Sequence, residues 1–360
     1  MKPKPAISLA IGAAVSAMAL IWAFRHVPLQ ELQSYFQTMH YGWLLPAVAT
    51  VLLSFVLRVL RWQLLLSTAW RIGFWHAFHP LMIGFMINCV LPGRVGELVR
   101  PAILYRKNQV PYPSGLATVA AERIFDTLTL LTLLAAVLIF APIHTPAQVQ
   151  FGEYQLSADL LRFSAQSVAA LSAALVGLTI LISTDRLRGI LQRGILKIPL
   201  ILRPWGEGWQ SRARRWLAAP LAGILERIAE GLGAVKRPRK VLACLLLSFG
   251  NWLLLGLSYY WVALGAPGIE LSFFDLLAVM IIICFFIALP SVPGYWGIWE
   301  AGGVFALALF GVGAQPAAGY TLANHAVQIL PVMAVGVVSL LVTGAGFNTR
   351  IPESQSLASN

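Results

Sequence analysis

Long apolar runs separated by short polar stretches organise this chain. Residues 6–24, 42–64, 114–140, 163–183, 241–263 and 320–344 are each predominantly apolar over about the length of a bilayer-spanning helix. Two more apolar segments, 74–110 and 274–311, are interrupted. Leu91-Pro92-Gly93-Arg94-Val95-Gly96-Glu97 breaks the first. Leu289-Pro290-Ser291-Val292-Pro293-Gly294-Tyr295-Trp296-Gly297-Ile298-Trp299-Glu300 breaks the second. Proline disfavours helix in the residue before it, and glycine opens unusual backbone angles. Each segment therefore predicts two short helical arms around a non-helical tip, with Pro92, Gly93 and Gly96 at one tip and Pro290, Pro293, Gly294 and Gly297 at the other. No alternating pattern of a membrane barrel is present. The predicted fold class is an all-α polytopic membrane protein with about six full transmembrane helices and two re-entrant helical hairpins.

Loop charge orients these elements, because Lys and Arg gather on the cytoplasmic side. Lys2 and Lys4 precede the first run, which is too long for a signal-peptide core, so an uncleaved first span with an internal N-terminus is expected. Arg58, Arg61 and Arg71 mark the inner end of 42–64, and Arg100, Arg106 and Lys107 the inner start of 114–140. The nearly neutral 141–162 falls outside. Residues 184–240 carry far more Lys and Arg than Asp and Glu and fall inside. The linkers 264–273 and 311–319 are expected outside, and the polar tail 346–360 inside.

Segment 74–110 then begins and ends inside, whereas 274–311 begins and ends outside. Each reads as a hairpin with its break at the tip, since the arm 98–104 is too short to span. Two short full spans in each segment is the alternative. The order span, hairpin, span occurs twice with opposite orientation, which is an inverted repeat within one domain, residues 1–345. Irregular backbone at membrane depth needs cover from protein or a polar cavity. Discontinuous helices in matching positions of two halves point to a transporter's substrate site.

Composition agrees. The residues are 58% hydrophobic and 11% charged, with mean hydropathy +0.76, against about 25% charged in soluble domains. The net charge of +12 fits cytoplasmic Lys/Arg bias and attraction to anionic lipid better than nucleic acid. Cys89, Cys244 and Cys284 lie in apolar runs without metal-ligand spacing and read as small buried hydrophobes. His76 and His79 make a poor metal pair. No metal, cofactor or disulfide is expected. Trp205, Trp209, Arg212, Arg214, Arg215 and Trp216 read either as an amphipathic helix on anionic lipid or as a topology-determining loop.

Candidate chemistry concentrates at the breaks. A helix restarting at Gly93–Gly96 would aim unpaired N–H groups at the tip, a ready anion site. Arg94, Glu97 and Arg100 share one face, with Glu97 expected to orient one or both arginines toward a phosphate. Asn88 lies just before this tip. Glu122-Arg123-Ile124-Phe125-Asp126 falls about two turns into a span, so its three ionisable groups must face the protein interior. They read as a charged floor for a headgroup cavity, as a proton-coupled carboxylate, or as a lock between helices with the Arg94/Arg100 side as partner. Arg58 and Arg61, beside Trp62, read as snorkelling interfacial residues or as lipid-phosphate contacts. Glu300 has no base nearby in sequence, so Asn324, His325 and Gln328 are its candidate partners. No nucleophile motif or metal-ligand set accompanies the carboxylates, so no catalytic residue is expected.

These motifs carry a resemblance. The run Leu91–Arg100, then Glu122–Asp126, then Pro293–Glu300 resembles the lysylphosphatidylglycerol synthase transmembrane-region family, also called the flippase-like domain family. Tyr295-Trp296 stands where that pattern usually has Gly-Leu. The likeness covers about residues 8–345 and implies an integral bacterial-type inner-membrane domain that moves lipids. In the synthases a separate soluble acyltransferase-like domain makes the aminoacyl-lipid, and that domain has no counterpart in this sequence. The resemblance therefore implies transport or lipid handling, with membrane lipids as partners, the headgroup anionic or zwitterionic, and phospholipid, aminoacyl-, hopanoid- and glycolipid substrates all open. Two rivals remain: synthesis by a membrane enzyme, and a non-transporting subunit that assists envelope-lipid biosynthetic enzymes.

Overall fold

The computed structural model describes residues 5–25, 27–67, 70–140, 149–151, 154–156, 238–289 and 292–344. The expectations for the span 163–183, for most of the basic insertion with Trp205 to Trp216, for Pro290 and for the tail 346–360 lie outside the described residues.

Helix α1 (Pro5–Phe24) is followed by α2 (Leu29–Thr38) and α3 (Leu44–Leu66). The first interrupted segment folds as α4 (Phe74–Val90) and α5 (Gly96–Asn108), and α6 (Tyr112–Phe140) follows. Then come α7 (Pro238–Gly265), the second interrupted segment as α8 (Phe273–Phe286) and α9 (Ile298–Leu309), and α10 (Ala314–Thr343). Among the described residues, Tyr41–Leu66, Arg239–Gly265 and Ala314–Thr343 are long and apolar enough to cross a membrane. Helix α6 is equally long but carries Glu122, Arg123 and Asp126 within it.

The predicted breaks are where the helices stop. Gly93 (φ 78°) and Arg94 (φ 55°) form the first tip, and Gly294 (φ 73°) and Tyr295 (φ 62°) the second. Each tip thus places a glycine and then a larger residue in the left-handed region, which costs roughly 1–2 kcal/mol for the larger one. Both are spelled Pro-Gly-x-x-Gly, at 92–96 and 293–297.

One expected boundary shifts, and one helix appears where none was predicted. Helix α2, where the sequence predicted no element, has an amphipathic face that its Gln, Glu and Ser residues mask. That face buries Tyr35 against Gly319 of α10, where a Cβ would collide with the Tyr35 ring. The linker expected over 311–319 is shorter, because α10 begins at Ala314 and admits Pro316 in its first turn. The all-α class holds: the strands among the described residues are one short pair, Val149–Phe151 antiparallel to Tyr154–Leu156.

The core centres on α3 against α7. Ala47, Val51, Phe55, Val59, Trp62 and Leu66 recur at three- and four-residue spacing and are all buried. Around this pair the two halves pack by one rule. The second arm of each hairpin lies on the long helix that follows it, α5 on α6 and α9 on α10. The first arm crosses to the other half, α4 onto α10 and α8 onto α6.

Candidate functional site

Four arginines and three carboxylates converge where α3, α5, α6 and α7 meet. Arg61 of α3 is 1% exposed. Its Nη1 donates to Asp126 Oδ1 at 2.7 Å and to Ser248 Oγ at 2.6 Å, and its Nη2 lies 3.8 Å from Glu122 Oε1. Arg100 of α5 donates to Glu122 Oε2 at 2.7 Å, with its guanidinium 4.4 Å from the Trp62 ring. Trp62 Nε1 in turn donates to Thr118 Oγ1 at 2.9 Å. Arg123, one third exposed, spans Glu97 at 3.4 Å and Asp126 at 3.6 Å. Trp252 Nε1 donates to Asp126 Oδ1 at 3.3 Å.

Arg58 differs from the rest. It is buried, and among the described residues its one ionic contact is Asp126 Oδ2 at 4.0 Å. Its guanidinium is walled by the rings of Phe55, Phe85 and Trp252 at 5.2–5.6 Å, and no hydrogen bond satisfies it among the described residues. The cluster holds one more cation than anion. Unpaired buried charge is costly, and an Arg fork left open fits a bidentate anion.

The local sequence makes this packing possible. Gly84 and Gly96 let the arms of the first hairpin cross closely. A Cβ on Gly96 would strike the Gly84 carbonyl, and one on Gly84 would strike the Arg100 side chain. Asn88 Oδ1 accepts the Gly96 N–H at 2.8 Å and closes the turn.

Several site expectations change in detail. Arg58 and Arg61 do not snorkel; helix α3 continues beyond them to Leu66, and both are buried among α6 and α7 side chains. Glu97 pairs with Arg123 rather than with Arg94 or Arg100, because its helix face meets α6. The helix end at the first tip is not an open anion site. Asn88 takes Gly96 N–H, and Arg94 and Val95 carbonyls take the next N–H groups. Arg94 is exposed at the tip and reaches the Ile287 carbonyl at 3.5 Å, so the first tip meets the end of α8. His79 contacts Ser339 and takes no part in the cluster.

Glu300 finds its partner on α10. Glu300 and His325 are both fully buried, with His325 Nδ1 2.5 Å from Glu300 Oε1. Glu300 Oε2 accepts the Gly297 N–H at 2.6 Å, and His325 Nε2 lies 2.9 Å from the Gly294 carbonyl. Trp299 stacks on the imidazole at 4.5 Å, and Trp296 covers it at 4.5 Å. The two halves thus share a device: a charged residue in the first turn or so of the second arm pairs with the long helix that follows, Arg100 with Glu122 and Glu300 with His325.

Sequence reasoning missed Ser248, Asn251 and Trp252 on α7. Asn251 is buried with neither end of its amide hydrogen-bonded among the described residues. Three polar-tipped residues within two turns of an apolar run were the available signal.

The family model described as "Lysylphosphatidylglycerol synthase TM region" matches residues 9–336. "Glycosyltransferase AglD" of Haloferax volcanii is 28% identical over 290 residues, covering 74% of this chain and 43% of that protein. "UPF0104 membrane protein" of Methanothermobacter thermautotrophicus is 24% identical over 361 residues, covering 98% of this chain and 99% of that protein. The chain therefore spans less than half of the first relative and nearly all of the second.

Proposed function

The chain belongs to the lysylphosphatidylglycerol synthase transmembrane-region family, and from that membership we propose that it is a flippase-like lipid transporter. An anionic or zwitterionic headgroup enters between the two hairpin tips, contacts exposed Arg94, and presents its phosphate to the cationic edge of the buried cluster. The observation that carries this reading is Arg58, a buried guanidinium that makes no hydrogen bond among the described residues and only a 4.0 Å contact to Asp126, in a cluster of four described arginines and three carboxylates. Arg61, Arg100 and Arg123 hold Glu122, Asp126 and Glu97, so they shape the site rather than bind directly.

The hairpin arms support re-entrant insertion. They run 17, 13, 14 and 12 residues, about 18–26 Å at helical rise, below the roughly 30 Å hydrocarbon core. Opposite loop charge around the two units supports entry from opposite faces of an inner membrane, with both termini cytoplasmic. The relative named a glycosyltransferase favours a second reading, in which the chain serves lipid-linked glycan synthesis as a membrane component beside a catalytic partner.

Proteoliposomes carrying headgroup-labelled lipid test the first reading. Wild-type chain exposes inner-leaflet label to an impermeant quencher, and Arg58→Ala and Arg94→Ala slow that exposure. Unchanged lipid movement in both folded variants overturns the mechanism.

A further inference from the structure

We propose that the Glu300–His325 pair is a proton-binding site whose occupancy holds the second hairpin tip shut against α10. The inference stands on this pair alone and does not depend on the lipid reading.

The geometry fixes the proton count. The Gly294 carbonyl can only accept, so His325 Nε2 carries a hydrogen. On the other side Nδ1 faces a carboxylate oxygen at 2.5 Å. A bare Nδ1 against an ionised carboxylate would set two lone pairs against each other. One further proton must therefore lie between them, on Nδ1 of an imidazolium or on Oε1 of a carboxylic acid. In either placement the pair is neutral overall, which suits two fully buried groups. The other carboxylate oxygen is occupied by Gly297 N–H, so the shared proton has one seat.

That proton ties together the two ends of the tip. Gly294 and Gly297 both have positive φ, at 73° and 86°. The imidazole and carboxylate are the hydrogen-bond partners of both glycines, so they fasten each end of the strained turn. Loss of the proton to water leaves an ionised Glu300 facing the Nδ1 lone pair of a neutral His325. The contact becomes repulsive; His325 Nε2–H still holds the Gly294 carbonyl and Glu300 still takes the Gly297 N–H, but the tie between the tip and α10 falls to the first of these, and the tip loosens.

Few other groups compete for this role. Tyr295 is on the tip itself, and the Cys89 carbonyl approaches Gly294 from α4. Arg94 at the neighbouring tip reaches the Ile287 carbonyl. Helix α1 brings Ser16, whose hydroxyl accepts the Val292 N–H at 3.2 Å. Around His325, α10 adds the uncharged Asn324 and Gln328.

Hydrogen exchange of the full chain in lipid nanodiscs, read on peptides covering 292–300 and corrected for intrinsic pH dependence, tests the site. In the wild type the tip is protected at acidic pH and loses protection as pH rises. The expected change is on the order of tenfold to hundredfold, the effect of losing one charge-assisted hydrogen bond. Glu300→Gln supplies the decisive contrast: the amide accepts from Gly297 and donates to Nδ1 with no acidic proton of its own to lose, so the tip stays protected as pH rises. A wild-type tip indifferent to pH overturns the proposal, as does a Glu300→Gln tip with the wild-type step. Nitrogen-15 spectra of histidine-labelled chain, assigned by the signal lost in His325→Phe, provide a readout independent of the Glu300 variant. An unprotonated Nε2 at acidic pH also overturns it.

Discussion

Replacing Arg61 with Leu removes the centre of the buried charge cluster. Arg61 makes hydrogen bonds of 2.7 Å to Asp126 and 2.6 Å to Ser248 and a looser contact to Glu122. Breaking one partner of a buried pair generally costs about 3–5 kcal/mol. Here the loss falls near the lower end. Asp126 keeps the Trp252 N–H at 3.3 Å, Arg123 at 3.6 Å and Arg58 at 4.0 Å, and Glu122 keeps Arg100. A destabilisation of about 3 kcal/mol is expected, a shift of roughly a hundredfold in the unfolding equilibrium. The double variant Arg61→Leu/Asp126→Leu removes one charge of each sign, and part of the stability should return, the rest staying lost because Arg58 and Trp252 lose their contacts with Asp126. Reversible denaturation in mixed micelles, run as a double-mutant cycle, measures both. A single-variant loss below about 1 kcal/mol, the range of an exposed pair, would refute the view of this cluster as buried and mutually compensated. So would a double variant worse than the sum of its singles.

Three further outcomes follow from the geometry. Gly96→Ala drives a methyl into the Gly84 carbonyl and should cost about 1–3 kcal/mol or more, seen as a lower thermal midpoint. Glu97→Gln removes only the partner of an Arg123 that is one third exposed, so a loss under about 1 kcal/mol is expected in the same assay. Thr118→Val strips the acceptor from buried Trp62 Nε1 and should cost about 1–3 kcal/mol, with a shift in indole fluorescence showing that Trp62 has lost its bond.

Elements defined by long-range hydropathy were legible in the sequence, and partners set by tertiary packing were not. The spans 42–64, 114–140, 241–263 and 320–344 each lie within a few residues of α3, α6, α7 and α10, because about twenty apolar residues admit few other readings. Both breaks were legible because Pro-Gly leaves the backbone little choice. Pairings were harder. Arg58 and Arg61 resemble interfacial arginines in any linear reading, since nothing local says that α3 continues past them or that α6 supplies Asp126. Glu97 seemed to belong with Arg94 and Arg100, its neighbours on one face, until α6 brought Arg123 closer. Glu300 showed the limit most clearly. Its lack of a nearby base required a distant partner, and His325 was among three candidates, but which of them met it depended on how α9 lies on α10.

The crossed packing of the hairpins has a consequence for how the chain is made. The apolar flank of α4 is completed by α10, yet synthesis of α10 begins only after Val90 has been followed by more than two hundred residues. At ribosomal speeds of about 5–20 residues per second, the first hairpin must wait roughly 10–45 seconds for its neighbour. During that interval Arg100 can already meet Glu122 on α6, but Asp126 and Arg61 still lack Ser248 and Trp252 from α7. Biogenesis therefore passes through a stage in which a half-assembled polar cluster sits in the membrane, and that stage is where an insertion chaperone would be needed most.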